Sequence, residues 1–187
     1  MNFSVLGSPG DTSPMNLSAI ELSNPDGEVG TAPAKNGTFT VPERGSIEGR
    51  ITYICNETGI AGVSINLTNA DSVQTTLTNE TGYYSFTDVS PDDYVVSATK
   101  PRFWDNATDV TVIAGEVTAA DMVLCLKGDL NDDGYVADAG DVMLMLQASA
   151  RDITGDYRYD LNGNGVIADA GDVVLILRAS VGDIILW

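Results

Sequence analysis

The sequence predicts a multidomain chain, an all-β sandwich followed by a small α-helical module made of two loop–helix repeats. Three observations predict it. Seven short runs of alternating apolar and polar residues, separated by turn clusters, fill residues 44–127. Near residue 128 the composition shifts to Gly/Asp/Asn loops followed by apolar runs. Within that last segment the chain repeats itself at an offset of 31 residues, from 129 to 160.

Residues 1–43 come first and are rich in Ser, Pro, Gly and Asn. Val5-Leu6-Gly7, Leu17 to Ser23 and Asn36 to Val41 are short apolar alternations, with Leu17 and Leu22 as candidate core and Asn36-Gly37 as a hairpin turn. These runs loosely resemble the C-terminal end of a cohesin domain. A piece this short buries too little apolar area to fold alone. It reads as the tail of a truncated domain or as an irregular lead-in.

In residues 44–127, Ile47, Gly49, Ile51 and Tyr53 alternate with polar residues, as do Val63, Ile65 and Leu67, then Val73, Thr75 and Leu77. Further runs are Tyr83 to Phe86, Tyr94 to Ala98, Val110 to Ile113 and Met122 to Leu126. Asn56-Glu57-Thr58-Gly59, Asn79-Glu80-Thr81-Gly82 and Ser90-Pro91-Asp92-Asp93 supply turns between them. Period-two patterning at this spacing predicts an antiparallel sandwich. Tyr84 and Phe86 are read as core. The order Gly45 to Ile51, Gly59 to Ile65, Thr78 to Phe86 and Tyr94 to Val96 resembles the carboxypeptidase regulatory-like (prealbumin-like) family. The family turn before the Tyr strand usually carries a glycine; here it reads Pro91-Asp92-Asp93. The resemblance implies a spacer or adhesive module without catalysis. Cys55 and Cys125 lie near the first and last strands and are either a disulfide or two separate buried thiols. A disulfide closing that loop would stabilise by about 4 kcal/mol.

Residues 128–187 carry the chemistry. Asp129-Leu130-Asn131-Asp132-Asp133-Gly134-Tyr135 matches Asp160-Leu161-Asn162-Gly163-Asn164-Gly165-Val166, and Asp138-Ala139-Gly140-Asp141 matches Asp169-Ala170-Gly171-Asp172. Calcium takes six to eight hard oxygen ligands at about 2.3–2.6 Å. Side chains at loop positions one, three and five converge where the chain turns at a glycine, and the next residue offers its carbonyl. Two calcium ions are therefore expected. Asp129, Asn131, Asp133, Tyr135 and Asp141 would hold one; Asp160, Asn162, Asn164, Val166 and Asp172 would hold the other. The closing Asp falls at position thirteen instead of the EF-hand's twelve, which leaves Asp138 and Asp169 as rivals for that role. Magnesium fits less well, because it prefers few protein ligands in tight octahedral geometry.

Loop–helix units of this kind resemble a type I dockerin over residues 128–182. That resemblance implies binding to the cohesin domain of a scaffold protein. By family position it points to Ala139, Gly140, Gln147 and Arg151, with counterparts Ala170, Gly171 and Arg178. Ala-Gly at the loop positions, where Ser-Thr is common, implies a different partner specificity. Val142 to Leu146 and Val173 to Leu177 are apolar on more than one face, so a second face is left for a partner or for mutual burial of the helices. The near two-fold repeat implies that either helix could present the same surface.

Composition narrows the function classes. The chain carries 27 acidic and 9 basic residues, net charge −18, which argues against a nucleic-acid partner, since phosphate binding needs clustered Lys and Arg. It has no His, so the usual general base and transition-metal ligand are missing. No acid/base pair stands apart from the loops, and no enzymatic activity is expected. No apolar run approaches the roughly 18–20 residues that span a bilayer. Seven of twelve asparagines occupy Asn-x-Ser/Thr: Asn2, Asn16, Asn36, Asn56, Asn66, Asn79 and Asn106. Chance predicts about two; the motif accepts N-glycans in a secretory context. An extracellular or cell-surface location follows. Met1 to Gly7 has no basic start and no long apolar stretch, so a fragment or a mature segment of a longer exported chain is expected. The leading reading is a calcium-dependent docking module behind a sandwich spacer. The rival is an adhesin or carbohydrate-binding protein whose calcium loops stiffen one end, with a surface glycan as ligand and Trp104 as the candidate stacking residue.

Overall fold

Eight of the chain's strands lie between residues 45 and 124 and build two facing sheets. The structure is a computed structural model and describes residues 7–8, 10–15, 21–23, 25–26, 29–31, 36–41, 43–151 and 153–187. Ahead of the sandwich, β1 (Thr12–Met15), β2 (Glu21–Ser23), β3 (Val29–Thr31) and β4 (Gly37–Thr40) form two antiparallel pairs, β1 with β4 and β2 with β3. The hairpin turn expected at Asn36-Gly37 is not there. Gly37 opens β4 opposite Met15, and the residues joining β4 to its partner lie further back in the chain. Leu17 lies outside the described residues.

The sandwich strands are β5 (Gly45–Tyr53), β6 (Ser64–Thr68), β7 (Val73–Leu77), β8 (Tyr83–Val89), β9 (Asp92–Thr99), β10 (Asn106–Val112), β11 (Val117–Ala119) and β12 (Met122–Leu124). One sheet runs β10-β9-β6-β7, antiparallel throughout as expected. The other departs from expectation. It is centred on β5, with β8 antiparallel on one side and β11 and β12 parallel on the other. The short β11 had no sequence signal of its own, because only Thr118 of its three residues turns partly inward. The run breaks at Ala120-Asp121. There Ala120 donates to the Glu48 carbonyl at 2.8 Å, and the Asp121 carboxylate accepts the Arg50 N–H at 2.7 Å.

Strand alternation builds the core. Ile47 and Ile51 of β5, Ile65 and Leu67 of β6, Val96 of β9 and Leu124 of β12 are completely buried. Tyr84 and Phe86 are core, as read from the sequence, and meet edge to face at 6.1 Å. The Tyr84 hydroxyl donates to the Ala120 carbonyl at 2.6 Å. Glycine is required at Gly49, where a Cβ would collide with the Ala120 carbonyl.

After Gly128 come α1 (Ala139–Ser149), a 3-10 turn at Tyr157–Tyr159, and α2 (Ala170–Ser180). Met145 and Ile176, equivalent in the two repeats, are fully buried between the helices with Leu130, Tyr159, Ala137 and Ala168. The module abuts the sandwich through Trp104, which packs edge-on against Tyr157 at 5.6 Å and lies under the Lys127 ammonium at 5.3 Å. Trp104 is thus a joint residue and is not free to stack on a sugar. Lys127 also donates to the main-chain oxygen of Trp187 at 2.7 Å. No helix among the described residues is long and apolar enough to cross a membrane.

Cys55 and Cys125 are both free thiols, so the disulfide reading does not hold in this structure. Each faces the loop module instead. The Cys55 sulfur lies beside Gly134, and Cys125 lies near Arg158. Burial pushes the Cys125 thiol up, against the pull of Arg158.

Candidate functional site

The two loops fold alike because the same side chains tie the same backbone groups. In repeat one the Asp129 carboxylate accepts the Asp133 N–H at 3.2 Å and the Gly134 N–H at 2.9 Å. Asn131 accepts Asp133 N–H at 3.1 Å, and Asp133 accepts Tyr135 N–H at 2.8 Å. In repeat two Asp160 accepts from Asn164 and Gly165, Asn162 from Asn164, and Asn164 from Val166. Gly134 and Gly165 have φ of +91° and +83°, the left-handed turn the loop pattern called for.

Position four was not legible as a conformational site. Gly163 has φ +71°, but its counterpart Asp132 holds φ +59° with a side chain. That carboxylate pairs with Arg158 at 2.8 Å, tying loop one to the 3-10 turn. The ninth loop residue was not legible either. Ala137 and Ala168 precede the helices in left-handed backbone, φ +56° and +53°. Their N–H groups donate to the carbonyls just ahead of each loop, at Gly128 (2.8 Å) and Tyr159 (3.0 Å). Both are buried, which a small side chain permits.

Asp138 and Asp169 cap the helices, each accepting from the two residues at N2 and N3. Asp141 and Asp172 complete reciprocal capping boxes and are fully buried. Asp141 accepts Leu130, Asn131 and Asp138 N–H groups; Asp172 accepts those of Asn162 and Asp169. The rival closing residue is also in reach. Asp169 accepts the side-chain amides of Asn162 at 3.1 Å and Asn164 at 2.7 Å. The Asn164 bond is the main reason its carboxyl is held below the usual range.

Burial raises the Asp129, Asp141 and Asp172 carboxyls, and backbone N–H bonds only partly offset it. Among the described residues no Lys or Arg forms an ion pair with any of the three. A buried carboxylate is normally paired or bound to a cation. The donors around these loops are all oxygens, which suits a hard cation and not a soft one. No three His, Cys, Asp or Glu side chains among the described residues are already drawn together as a cage. The fit therefore rests on the mixed set of carboxylate, amide and main-chain oxygens.

The helices present a second apolar face. Met143 and Leu146 of α1 are 61% and 47% exposed; Val174 and Leu177, their counterparts in α2, are 52% and 41%. Ala139, Val142 and Gln147 complete a shallow patch with the α1 pair. Of the expected partner residues, Ala139, Arg151, Ala170, Gly171 and Arg178 are exposed, while Gly140 and Gln147 are half-buried. Arg178 pairs with Asp183 at 2.6 Å. Among the sequon asparagines, Asn36, Asn56, Asn79 and Asn106 are exposed. Asn66 is half-buried and accepts the Thr75 hydroxyl, and the Asn106 amide donates to the Val123 carbonyl. Asn2 and Asn16 lie outside the described residues.

Residues 46–125 match the family model of the carboxypeptidase regulatory-like domain. The sandwich is a carboxypeptidase regulatory-like domain. No curated protein matches the sequence. Among solved structures, the chain is similar to the Bacillus anthracis TIE protein at 12% identity and TM-score 0.46, over 64% of this chain and 26% of that one. It is similar to BcpA, the major pilin subunit of Bacillus cereus, at 15% identity and TM-score 0.43, over 66% and 40%. A type II cohesin–X–dockerin complex from Acetivibrio cellulolyticus matches at 18% identity and TM-score 0.37, over 71% and 93%. The chain spans well under half the length of the first two.

Proposed function

We propose that residues 128–187 are a calcium-dependent docking module of the type I dockerin kind. Its partner is a cohesin domain of a scaffold protein, and the carboxypeptidase regulatory-like domain is the spacer behind it. The chain acts outside the cell or at its surface and carries out no catalysis. One observation carries this reading: the same 31-residue shift relates both the buried unpaired carboxylates (141 to 172) and the exposed apolar pairs (143 and 146 to 174 and 177). A chain that only needed to cap two helices has no use for both.

Asp129, Asn131, Asp133, the Tyr135 carbonyl and Asp141 would hold one ion; Asp160, Asn162, Asn164, the Val166 carbonyl and Asp172 would hold the other. Bound calcium supplies positive charge to carboxylates that have none opposite them. The protein's own part is to orient the helices. Asp141 and Asp172 fasten each helix N-terminus to the start of its loop, so ordering the loop sets the pose of Met143/Leu146 and Val174/Leu177. Calorimetry against a cohesin panel, with calcium and with chelator, tests it. Binding in calcium, abolished by chelator, and weakened by Met143→Glu with Val174→Glu, is the expected result. A module that calcium leaves unchanged sinks the metal reading. A module ordered by calcium that binds no cohesin sinks the docking reading.

A further inference from the structure

The sandwich has one unguarded sheet edge. Among the described residues β7 pairs only with β6 in its sheet. Thr76 faces Ile65 and Gln74 faces Leu67, while Thr78 donates to the Val63 carbonyl and the Ser72 carbonyl accepts from Asn69. Even-numbered residues therefore turn their backbone groups toward β6. By strand alternation, the N–H and C=O groups of Val73, Thr75 and Leu77 point out of the sheet.

Other edges are blunted, and this one is not. Strand β8 carries a bulge opposite Gly45–Ile47, with Asp88 at φ +61° and ion-paired to Arg44. Strand β10 bears Asp109, and it is covered where Asn106 bonds Val123 and Thr118 bonds the Thr111 carbonyl. In a chain of net charge −18, residues 72–79 carry no charge, no Pro and no Gly. Val73 and Leu77 are 67% and 64% exposed. Natural edges are normally guarded by charge, proline, bulges or a covering segment.

We infer that β7 is a self-association edge, which pairs antiparallel with β7 of a second copy of this chain about a two-fold axis through Thr75. The occupant follows from the sequence of the strand. With Thr75 on the axis, Val73 faces Leu77 of the second copy and Leu77 faces its Val73. These are the residues whose backbone groups point outward, so each facing pair exchanges both N–H···O=C bonds. The facing pairs cover the exposed apolar side chains and set Thr against Thr. The same register places Asp71 against Asn79 of the second copy, so no like charges meet. The two four-stranded sheets become one continuous sheet, and the faces of α1 and α2 take no part.

Sedimentation of the full chain in calcium tests it, over concentrations from micromolar to millimolar. Hydrogen exchange is read on the amides of Val73, Thr75 and Leu77. A concentration-dependent dimer is expected, with those three amides protected only in the dimer. Thr75→Lys sets two ammonium groups face to face on the axis and weakens self-association at least about tenfold, without moving the melting temperature of the dilute, monomeric chain. Leu77→Lys serves the same purpose should Thr75→Lys fail to fold. A wild-type chain that stays monomeric at every concentration overturns the inference. So does a dimer that survives both substitutions, or one whose three amides exchange freely.

Discussion

The sandwich and the loop–helix module bury different things. The sandwich core is apolar and aromatic, and among its fully buried side chains none is charged. The module is shorter, yet it sinks Asp129, Asp141 and Asp172 beside Met145 and Ile176. Apolar burial stabilises in any ionic setting, whereas a buried carboxylate stabilises only when its charge is answered. On the proposed calcium reading, one half of the chain is insensitive to ions and the other depends on them. The joint at Trp104, Lys127 and Tyr157 connects the two.

The largest effect separates them by location. Ile65 is completely buried in β6. Truncating it to Ala costs about 2–5 kcal/mol through lost burial and a cavity. Chemical denaturation should show this loss in the sandwich transition alone, equal with calcium and with chelator. A calcium-dependent cost would show that the two halves unfold as one unit. Next in size is Asp141→Ala. It strips the acceptor from three backbone N–H groups and removes half of a capping box, about 3 kcal/mol in the module. Asp172→Ala strips two and should cost about 2 kcal/mol. Amide exchange at residues 130, 131 and 138 against 162 and 169 reads the difference. Equal losses would mean that burial alone, not the count of N–H partners, sets the role of each carboxylate.

The two halves also differ in how much the sequence disclosed. Alternation located every long strand, because one inward face per strand leaves a period of two in side-chain type. It could not disclose that β11 and β12 run parallel to β5. Parallel pairing there depends on Asp121 and Ala120 bonding across to Arg50 and Glu48, contacts 71 and 72 residues apart with no local signature. In the module, ligand-type residues and turn glycines were readable from their spacing. The left-handed Ala137, Ala168 and Asp132 were not, since Ala and Asp are ordinary residues elsewhere. Trp104 was misread for a similar reason. Its partner Tyr157 lies in another domain, and nothing near residue 104 announces it.

Responses in separate pH ranges should follow from the same contrast. Burial, reinforced by the Asp121 charge, pushes the Tyr84 phenol up to about 12. A folded value above the unfolded one near 10 means the neutral phenol is favoured. The sandwich should hold full stability below pH 10 and lose it as pH rises through about 12; Tyr84→Phe should flatten part of that fall. In the module burial raises Asp129, Asp141 and Asp172 from 3.8. In chelator, their contribution is present below about pH 3.8 and is lost as pH rises through the folded values, so mild acid should steady the module. With calcium bound as proposed the sign should reverse, because acid displaces the ion. Thermal melts at graded pH with each probe read both. A module whose chelated stability rises with pH would contradict the account of unanswered charge.

The smallest effect tests why loop one tolerates what loop two avoids. Asp132 sits in left-handed backbone where Gly163 stands in the second repeat, and a Cβ on Gly163 would meet nothing within 4 Å. Left-handed backbone costs a side-chain-bearing residue about 1–2 kcal/mol relative to glycine. The Asp132–Arg158 pair is partly buried, with side chains 29% and 16% exposed, and Arg158 also reaches Asp156 at 3.2 Å. The pair and the strain nearly offset each other, so Asp132→Gly alone should change stability by less than about 1 kcal/mol. In an Arg158→Ala background the strain has no compensation, and the same substitution should become stabilising. A double-mutant cycle on the module's melting transition measures the coupling. If Asp132→Gly has the same effect in both backgrounds, the ion pair is not what keeps Asp132 in place, and loop one is held by its contact with the sandwich instead.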